Sequence, residues 1–100
     1  MNEIICIHAS HPSLSGHFPG NPLVPGVVLL SHVIDTTERL YEGKVKVIGM
    51  PAVKFLAPVR PEKEVVLSLL PVAPDSLRFE CRTEASLVAT GSIELAVFDR

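Results

Sequence analysis

The chain is 100 residues long, the size of one domain. Its formal net charge of −2 lacks the basic excess of nucleic-acid-binding proteins, and it has no run of about 20 apolar residues to span a bilayer. Hydrophobic residues make up 47% of so short a chain, and short chains bury a lower fraction of their surface. This composition favours burial against a second subunit over a tightly packed monomer.

The N-terminus and the cysteines indicate a reducing compartment. Met1-Asn2-Glu3 lacks the basic start and apolar core of a signal peptide. Cys6 and Cys81 lie in strand-like contexts and are predicted to be buried free thiols of a cytoplasmic protein, with a disulfide between them as the open alternative. His8 and His11 are three residues apart, but no cysteine or carboxylate joins them at metal-ligand spacing. We therefore expect no metal and no cofactor.

The first half of the chain predicts a strand, a loop and one long helix. Ile4 to Ala9 is a short β-rich segment, and Ser10 to Pro25 is rich in proline and glycine, which excludes regular structure. Pro25 suits the start of a helix. From Val27 to Tyr41 the apolar residues recur at helical spacing, and Gly43 predicts the stop. The first two turns are apolar nearly all round, so we expect that end of the helix to be buried.

The second half predicts antiparallel strands. A long pattern from Lys44 to Pro58 breaks near Gly49-Met50-Pro51. The later segments are Glu64 to Val72, a turn at Pro74-Asp75-Ser76, an alternating strand from Leu77 to Thr83, a bulge or turn at Ala89-Thr90-Gly91, and Ile93 to Phe98. The order predicts one α+β domain over residues 1–100, with an antiparallel sheet covering one helix.

One stretch carries a family resemblance. Gly16-His17-Phe18-Pro19-Gly20-Asn21-Pro22-Leu23-Val24-Pro25-Gly26-Val27-Val28-Leu29-Leu30 resembles the signature of the hot-dog-fold 3-hydroxyacyl-[acyl-carrier-protein] dehydratases. Val53-Lys54-Phe55-Leu56-Ala57-Pro58-Val59-Arg60-Pro61 is similar to a strand-to-turn segment of the same family. The short length resembles the small dehydratase-like proteins of aryl-polyene and related lipid clusters. The resemblance implies a hot-dog fold, an antiparallel sheet wrapped around one long central helix.

The resemblance also implies a site for removing water from a 3-hydroxyacyl thioester. His17 would be the catalytic histidine, because an imidazole transfers protons in either direction near pH 7. Gly26 opens the helix, whose free N–H groups and positive dipole end suit an enolate oxygen. Substrate-binding residues would be Phe18, Pro25, Val27 and Leu30, with the acyl chain in an apolar tunnel at a dimer interface.

The helix departs from the family pattern at the second catalytic position. The family places an acidic residue five positions after Gly26, and this chain has Ser31 there. Asp35 lies one turn further on the same face, about 6 Å along the helix axis, and Ser31 would hold a water between Asp35 and the substrate hydroxyl. His32 points about 100° away and is expected to be a hydrogen-bonded core residue.

Three functions remain open at this point. The chain is a dehydratase with Asp35 as substitute acid, a thioesterase in which His17 activates water, or a non-catalytic subunit that binds acyl carriers or completes a heteromer. Acyl carrier proteins are acidic, so Lys54, Arg60 and Lys63 are candidates for carrier docking, against the alternative of ordinary surface charge. The expected partners are an acyl carrier protein or acyl thioester and a second hot-dog subunit, identical or different.

Overall fold

The computed structural model describes residues 1–8 and 23–98. Within these ranges six strands and one helix follow in chain order: β1 Asn2–Cys6, α1 Gly26–Leu40, β2 Val45–Gly49, β3 Val53–Phe55, β4 Glu64–Ala73, β5 Ser76–Arg82 and β6 Leu87–Val97. β1 therefore begins and ends earlier than the predicted Ile4 to Ala9. Ala9 and most of the predicted loop, residues 10–22, lie outside the described residues.

All six strands form one antiparallel sheet in the order β1-β4-β5-β6-β2. One edge of β6 pairs with β5, and the other edge is long enough to pair with both β2 and β3. There Val53 of β3 pairs with Gly91, and Val45 of β2 pairs with Val97. The predicted break between Lys44 and Pro58 is confirmed, because β2 and β3 are separate strands on the same edge of β6.

The helix lies against the concave apolar face of this sheet. Its buried residues recur at helical spacing: Val28, Leu29, Val33, Thr36 and Thr37. The sheet contributes the alternating inward residues of the strands, with Phe79, Leu67, Leu77 and Ile93 among the most deeply buried side chains. Burial of apolar surface of this kind is the main favourable term in folding. The helix is 15 residues long, and no helix in the described ranges has the length and apolar character to cross a membrane.

The helix ends agree with the predicted signals to within one residue. Pro25 is the N-cap and Tyr41 the C-cap. The chain leaves the helix through Glu42 and Gly43, both with positive φ, and the Gly43 N–H donates to the Glu38 carbonyl at 3.1 Å. A glycine suits that left-handed position because it has no Cβ.

Within a single subunit, the prediction that the N-terminal turns of α1 are buried is confirmed on one side only. Val27 is 72% exposed, whereas Val28 and Leu29 on the opposite side are buried. The sheet covers only one face of the helix, because the strands pack from one side. One apolar face of the first turn is therefore left open within a single subunit.

The prediction of a bulge or turn at Ala89-Thr90-Gly91 is displaced by one residue. The register of β5 against β6 shifts between the pairs Cys81–Ala89 and Arg82–Leu87, so the irregularity lies at Val88. The residues Ala89-Thr90-Gly91 themselves lie inside the continuous strand β6 and pair in register with β3 and β5. The turn occurs earlier, where the Thr83 N–H donates to the Ser86 carbonyl at 2.9 Å. Gly91 serves packing, since a Cβ there would collide with the Ala52 carbonyl oxygen and lie 2.7 Å from the Phe79 ring.

The two cysteines are both free thiols, but they differ in burial. Cys81 is fully buried on the inward face of β5, and burial raises the pKa of its thiol to about 12. Cys6 is only half-buried. In β1 the buried residue is Ile5, and Ile7 just beyond the strand is also buried, so Cys6 lies on the opposite face. The expectation of a buried thiol is therefore confirmed for Cys81 and wrong for Cys6.

Gly91 offers a test of this packing. Gly91→Ala is expected to lower the free energy of unfolding by about 2–3 kcal/mol, because the added methyl group overpacks a rigid region. Gly49→Ala is the matched control, since the nearest atom to its Cβ is Glu94 Oε1 at 4.0 Å. Chemical denaturation of both variants measures the difference. Equal stability of the two variants would contradict the packing role of Gly91.

Candidate functional site

The N-terminus of α1 presents backbone donors. Pro25 has no side-chain oxygen to cap the helix, and its carbonyl accepts hydrogen bonds from the N–H groups of Val28 at 3.0 Å and Leu29 at 3.3 Å. Among the hydrogen bonds between described residues, none uses the N–H of Gly26 or Val27. The first N–H groups of a helix carry its partial positive charge. This end of α1 can therefore polarise a carbonyl oxygen.

Phe55 lies directly against this helix start. A Cβ on Gly26 would be 2.7 Å from Phe55 Cζ, so the ring occupies the space that any other residue at position 26 would need. Phe55 is the last residue of β3 and is 52% exposed. Gly26 thus permits close packing of β3 on the helix start, and the Phe55 ring forms an apolar wall beside the free N–H groups.

The exposed face of α1 carries the other predicted residues in one row. Val27, Ser31 and Asp35 are all exposed and follow one another at intervals of four residues, which places them on one side of the helix. The Ser31 hydroxyl donates to the Val27 carbonyl at 3.0 Å. Asp35 forms no ion pair with a described residue. The arrangement brings Ser31 and Asp35 together as predicted, with the carboxylate open to a partner.

The remaining predicted residues of α1 flank this row. Pro25 and Leu30 are half-buried, and Leu30 packs against the core. His32 is half-buried and has an interaction partner. His17 and Phe18 lie outside the described residues, so their positions relative to α1 stay predictions.

Two charged residues near the C-terminal end of α1 contact strands of the sheet. Glu38 Oε2 accepts a hydrogen bond from the Val47 N–H of β2 at 2.9 Å. Arg39 pairs with Glu3 of β1 at 3.3 Å. Both contacts tie the C-terminal half of α1 to strands at the edges of the sheet. They help to fix the rotation of the helix, and hence which face carries Ser31 and Asp35.

Two of the three predicted docking residues lie together. Arg60 and Lys63 line a shallow groove of about 180 Å³ that also includes Glu84. Lys54 is exposed on β3 and does not line this groove. The positive charge is therefore local and mixed with acidic side chains.

The clefts of about 470, 400 and 180 Å³ in one subunit have no residue of α1 in their lining. The two larger clefts, of about 470 and 400 Å³, are lined by residues of β1, β4 and β5 and their connections, without a residue of α1. The open apolar surface near the helix start instead consists of Val27, Phe55 and Leu56. Sequence reasoning missed the role of Phe55, although it lies in the second segment that carries the family resemblance.

Comparison with known proteins identifies the family of the chain. The family model described as ApeI dehydratase matches residues 2–92. The 3-hydroxyacyl-[acyl-carrier-protein] dehydratase FabZ of Ehrlichia chaffeensis is 31% identical over 93 residues, covering 84% of this chain and 65% of the relative. FabZ of Syntrophobacter fumaroxidans is 35% identical over 68 residues, covering 60% and 46%. The chain spans about half to two thirds of the length of these relatives.

Solved structures establish the fold. The dehydratase heterocomplex ApeI:P from Xenorhabdus doucetiae matches with a TM-score of 0.80 at 23% identity, covering 95% of this chain and 85% of that chain. An acyl-CoA hydrolase from Staphylococcus aureus matches with a TM-score of 0.71 at 12% identity, covering 99% and 64%. The fold is the hot-dog fold, as predicted. Because the family match spans nearly the whole chain, this protein belongs to the ApeI-like dehydratase family.

Proposed function

We propose that this protein removes water from a 3-hydroxyacyl thioester carried on an acyl carrier protein, giving the 2-enoyl thioester. The observation that carries the proposal is the open start of α1 at Gly26, beside the Phe55 ring. Gly26 follows His17 by nine residues in the sequence. Membership of the ApeI-like family and the FabZ relatives support the same reaction.

The reaction needs a base and a set of N–H groups that donate hydrogen bonds to the thioester carbonyl. His17 takes the proton from C2 of the substrate, and the free N–H groups of Gly26 and Val27 stabilise the negative charge that develops on the thioester oxygen. The C3–oxygen bond then breaks as the C2–C3 double bond forms. The leaving hydroxyl needs a proton. Once protonated, it departs as water.

Asp35 in its protonated, carboxylic-acid form is the proposed source of that proton, and exchange with solvent afterwards returns the proton held by His17 to Asp35. A serine hydroxyl has too high a pKa to act as the acid, and the Ser31 hydroxyl donates its hydrogen to the Val27 carbonyl. The lone pairs of the Ser31 oxygen are still able to accept from a water. We place that water between Ser31, Asp35 and the substrate hydroxyl, so that Asp35 acts one turn beyond the usual position.

The site is proposed to be completed by a second subunit. Val27, Phe55 and Leu56 are each more than half exposed, and exposed apolar residues that lie together mark interaction surfaces. A second hot-dog subunit over the helix start would enclose the acyl chain. A second copy of this chain in that place corresponds to the dehydratase proposed above. A different hot-dog protein there corresponds to the heteromer that is the second candidate.

The second candidate is a non-catalytic subunit of a heteromer. Ser31 at the acid position favours it, because the chain lacks the usual second catalytic group. The name of the Xenorhabdus structure, a dehydratase heterocomplex, gives independent support. In this case a partner subunit supplies the acid.

Carrier docking is proposed at Arg60 and Lys63, with Lys54 as a further contact. An acidic carrier protein would meet these cations at the rim of a groove, where local rather than net charge steers association. The location proposed for this reaction is the cytoplasm, which the two free thiols support.

The purified homomer with a 3-hydroxyacyl carrier protein tests the proposal. Mass spectrometry is expected to show loss of one water from the acyl group. His17→Ala is expected to slow this step by at least about a hundredfold, because general-base catalysis contributes on that scale. Circular dichroism of the variant provides the control for folding.

The other functions give different products in the same experiment. Free acid would indicate a thioesterase. An unchanged substrate with the homomer, followed by dehydration when a second hot-dog protein is added, would support the heteromer subunit. Dehydration by the His17→Ala variant at the full rate would contradict the role of the histidine.

Gly26 and Phe55 provide a second test. Gly26→Ala is expected to lower the dehydration rate at least about tenfold, because the displaced Phe55 ring no longer lies in its place beside the helix start. The loss of stability is expected to be small, because this half-exposed ring can shift away from the new methyl group. Adding Phe55→Ala is expected to recover part of the rate, which steady-state kinetics measures. If the double variant showed no recovery, the methyl group itself would block the substrate, and displacement of the Phe55 ring would not explain the loss.

A further inference from the structure

A cluster of metal-ligating side chains lies outside the proposed active site. Cys6, His8 and Glu62 each offer one ligand atom, and the three atoms lie within 4.8 Å of one another. They come from the end of β1 and from the connection between β3 and β4. We infer that this cluster binds Zn²⁺, with Cys6 Sγ, His8 Nδ1 and Glu62 Oε2 as ligands.

The backbone holds the three side chains in position. Cys6 and His8 alternate with the buried Ile5 and Ile7, so both lie on the outer face at the end of β1. The Glu62 N–H donates to the carbonyl of Ile7, between the two ligands, at 2.8 Å. The long-range hydrogen bond thus fixes Glu62 beside them.

The distances suit a tetrahedral ion. His8 Nδ1 and Glu62 Oε2 are 3.2 Å apart. Two ligands at the usual zinc–nitrogen and zinc–oxygen distances are about 3.3 Å apart in a tetrahedral site, and a sulfur and a nitrogen about 3.6 Å apart. Cys6 Sγ lies within 4.8 Å of both other ligand atoms. The proposed site would bring this sulfur to about 3.6 Å from His8 Nδ1.

The chemistry of the donors selects the ion. Thiolate and imidazole together favour zinc over magnesium or calcium, which prefer oxygen ligands. Thiolate and carboxylate carry two negative charges, which neutralise Zn²⁺, and the thiol proton is released to solvent on binding. Three protein ligands leave the fourth position to water.

Bound Zn²⁺ would join the end of β1 to the connection that precedes β4. Zn²⁺ binding does not depend on the dehydration reaction, so it is measured without a substrate.

Cobalt is the probe that reports the thiolate ligand directly. The metal-free 100-residue protein titrated with Co²⁺ is expected to develop a thiolate-to-cobalt charge-transfer band at one equivalent, and Zn²⁺ is expected to remove it. Cys6→Ser is expected to abolish the band. Cys81→Ala is the matched control that keeps it, because the buried thiol with a pKa raised to about 12 does not bind metal.

The other two ligands give the second measurement. His8→Ala and Glu62→Gln are each expected to weaken Zn²⁺ binding at least about tenfold in competition with a chelating dye. Both side chains are exposed, so the variants are expected to fold, and their melting temperatures check this. A band that persists in Cys6→Ser, no band in the wild-type protein, or unchanged affinity in both variants would overturn the site.

Discussion

The burial of one face of α1 against the sheet is the constraint on which the rest of the molecule depends. Leu29, Val33 and Thr37 are buried in the core, so rotation of the helix would expose apolar surface. The opposite face is thereby fixed as well. Ser31 and Asp35 are exposed because the sheet covers the helix from one side only. Hydrophobic packing thus decides which polar groups are able to meet a substrate.

The short strand β3 connects this packing to the helix start. It pairs with β6 through only three residue pairs, of which one involves Gly91. Gly91 lets β3 approach closely, because its missing side chain makes room for the Ala52 carbonyl and the Phe79 ring. β3 then ends at Phe55, whose ring packs on Gly26. Two glycines on different elements thus fix one apolar wall beside the free backbone donors.

Local signals in the sequence predict much of this structure. The proline before the helix, Gly43 after it, and Pro74-Asp75 between β4 and β5 each act through backbone conformation, which a residue and its neighbours largely determine. The helix bounds agree to one residue for this reason. The alternation of Leu77, Phe79 and Cys81 likewise predicts the buried face of β5 correctly.

Long-range contacts could not be predicted in the same way. Ala89-Thr90-Gly91 has the composition of a turn, yet it forms a strand because β3 and β5 pair on both sides. Glu62 joins His8 across 54 positions of sequence, and Phe55 meets Gly26 from a different element of the fold. For the site, the residues of the exposed helix face were predictable from helical spacing, whereas its apolar wall was not. The positions of His17 and Phe18 stay predictions.

The displaced acid is the central claim, and a double-mutant cycle on Ser31 and Asp35 tests it most directly. The turnover number for dehydration is measured for the wild type, Asp35→Asn, Ser31→Glu and the double variant. Asp35→Asn is expected to lower it by about a hundredfold in the wild-type background. In the Ser31→Glu background, where a carboxyl group stands at the usual place, it is expected to have little effect. An equal loss in both backgrounds, or none in the wild type, would contradict the account.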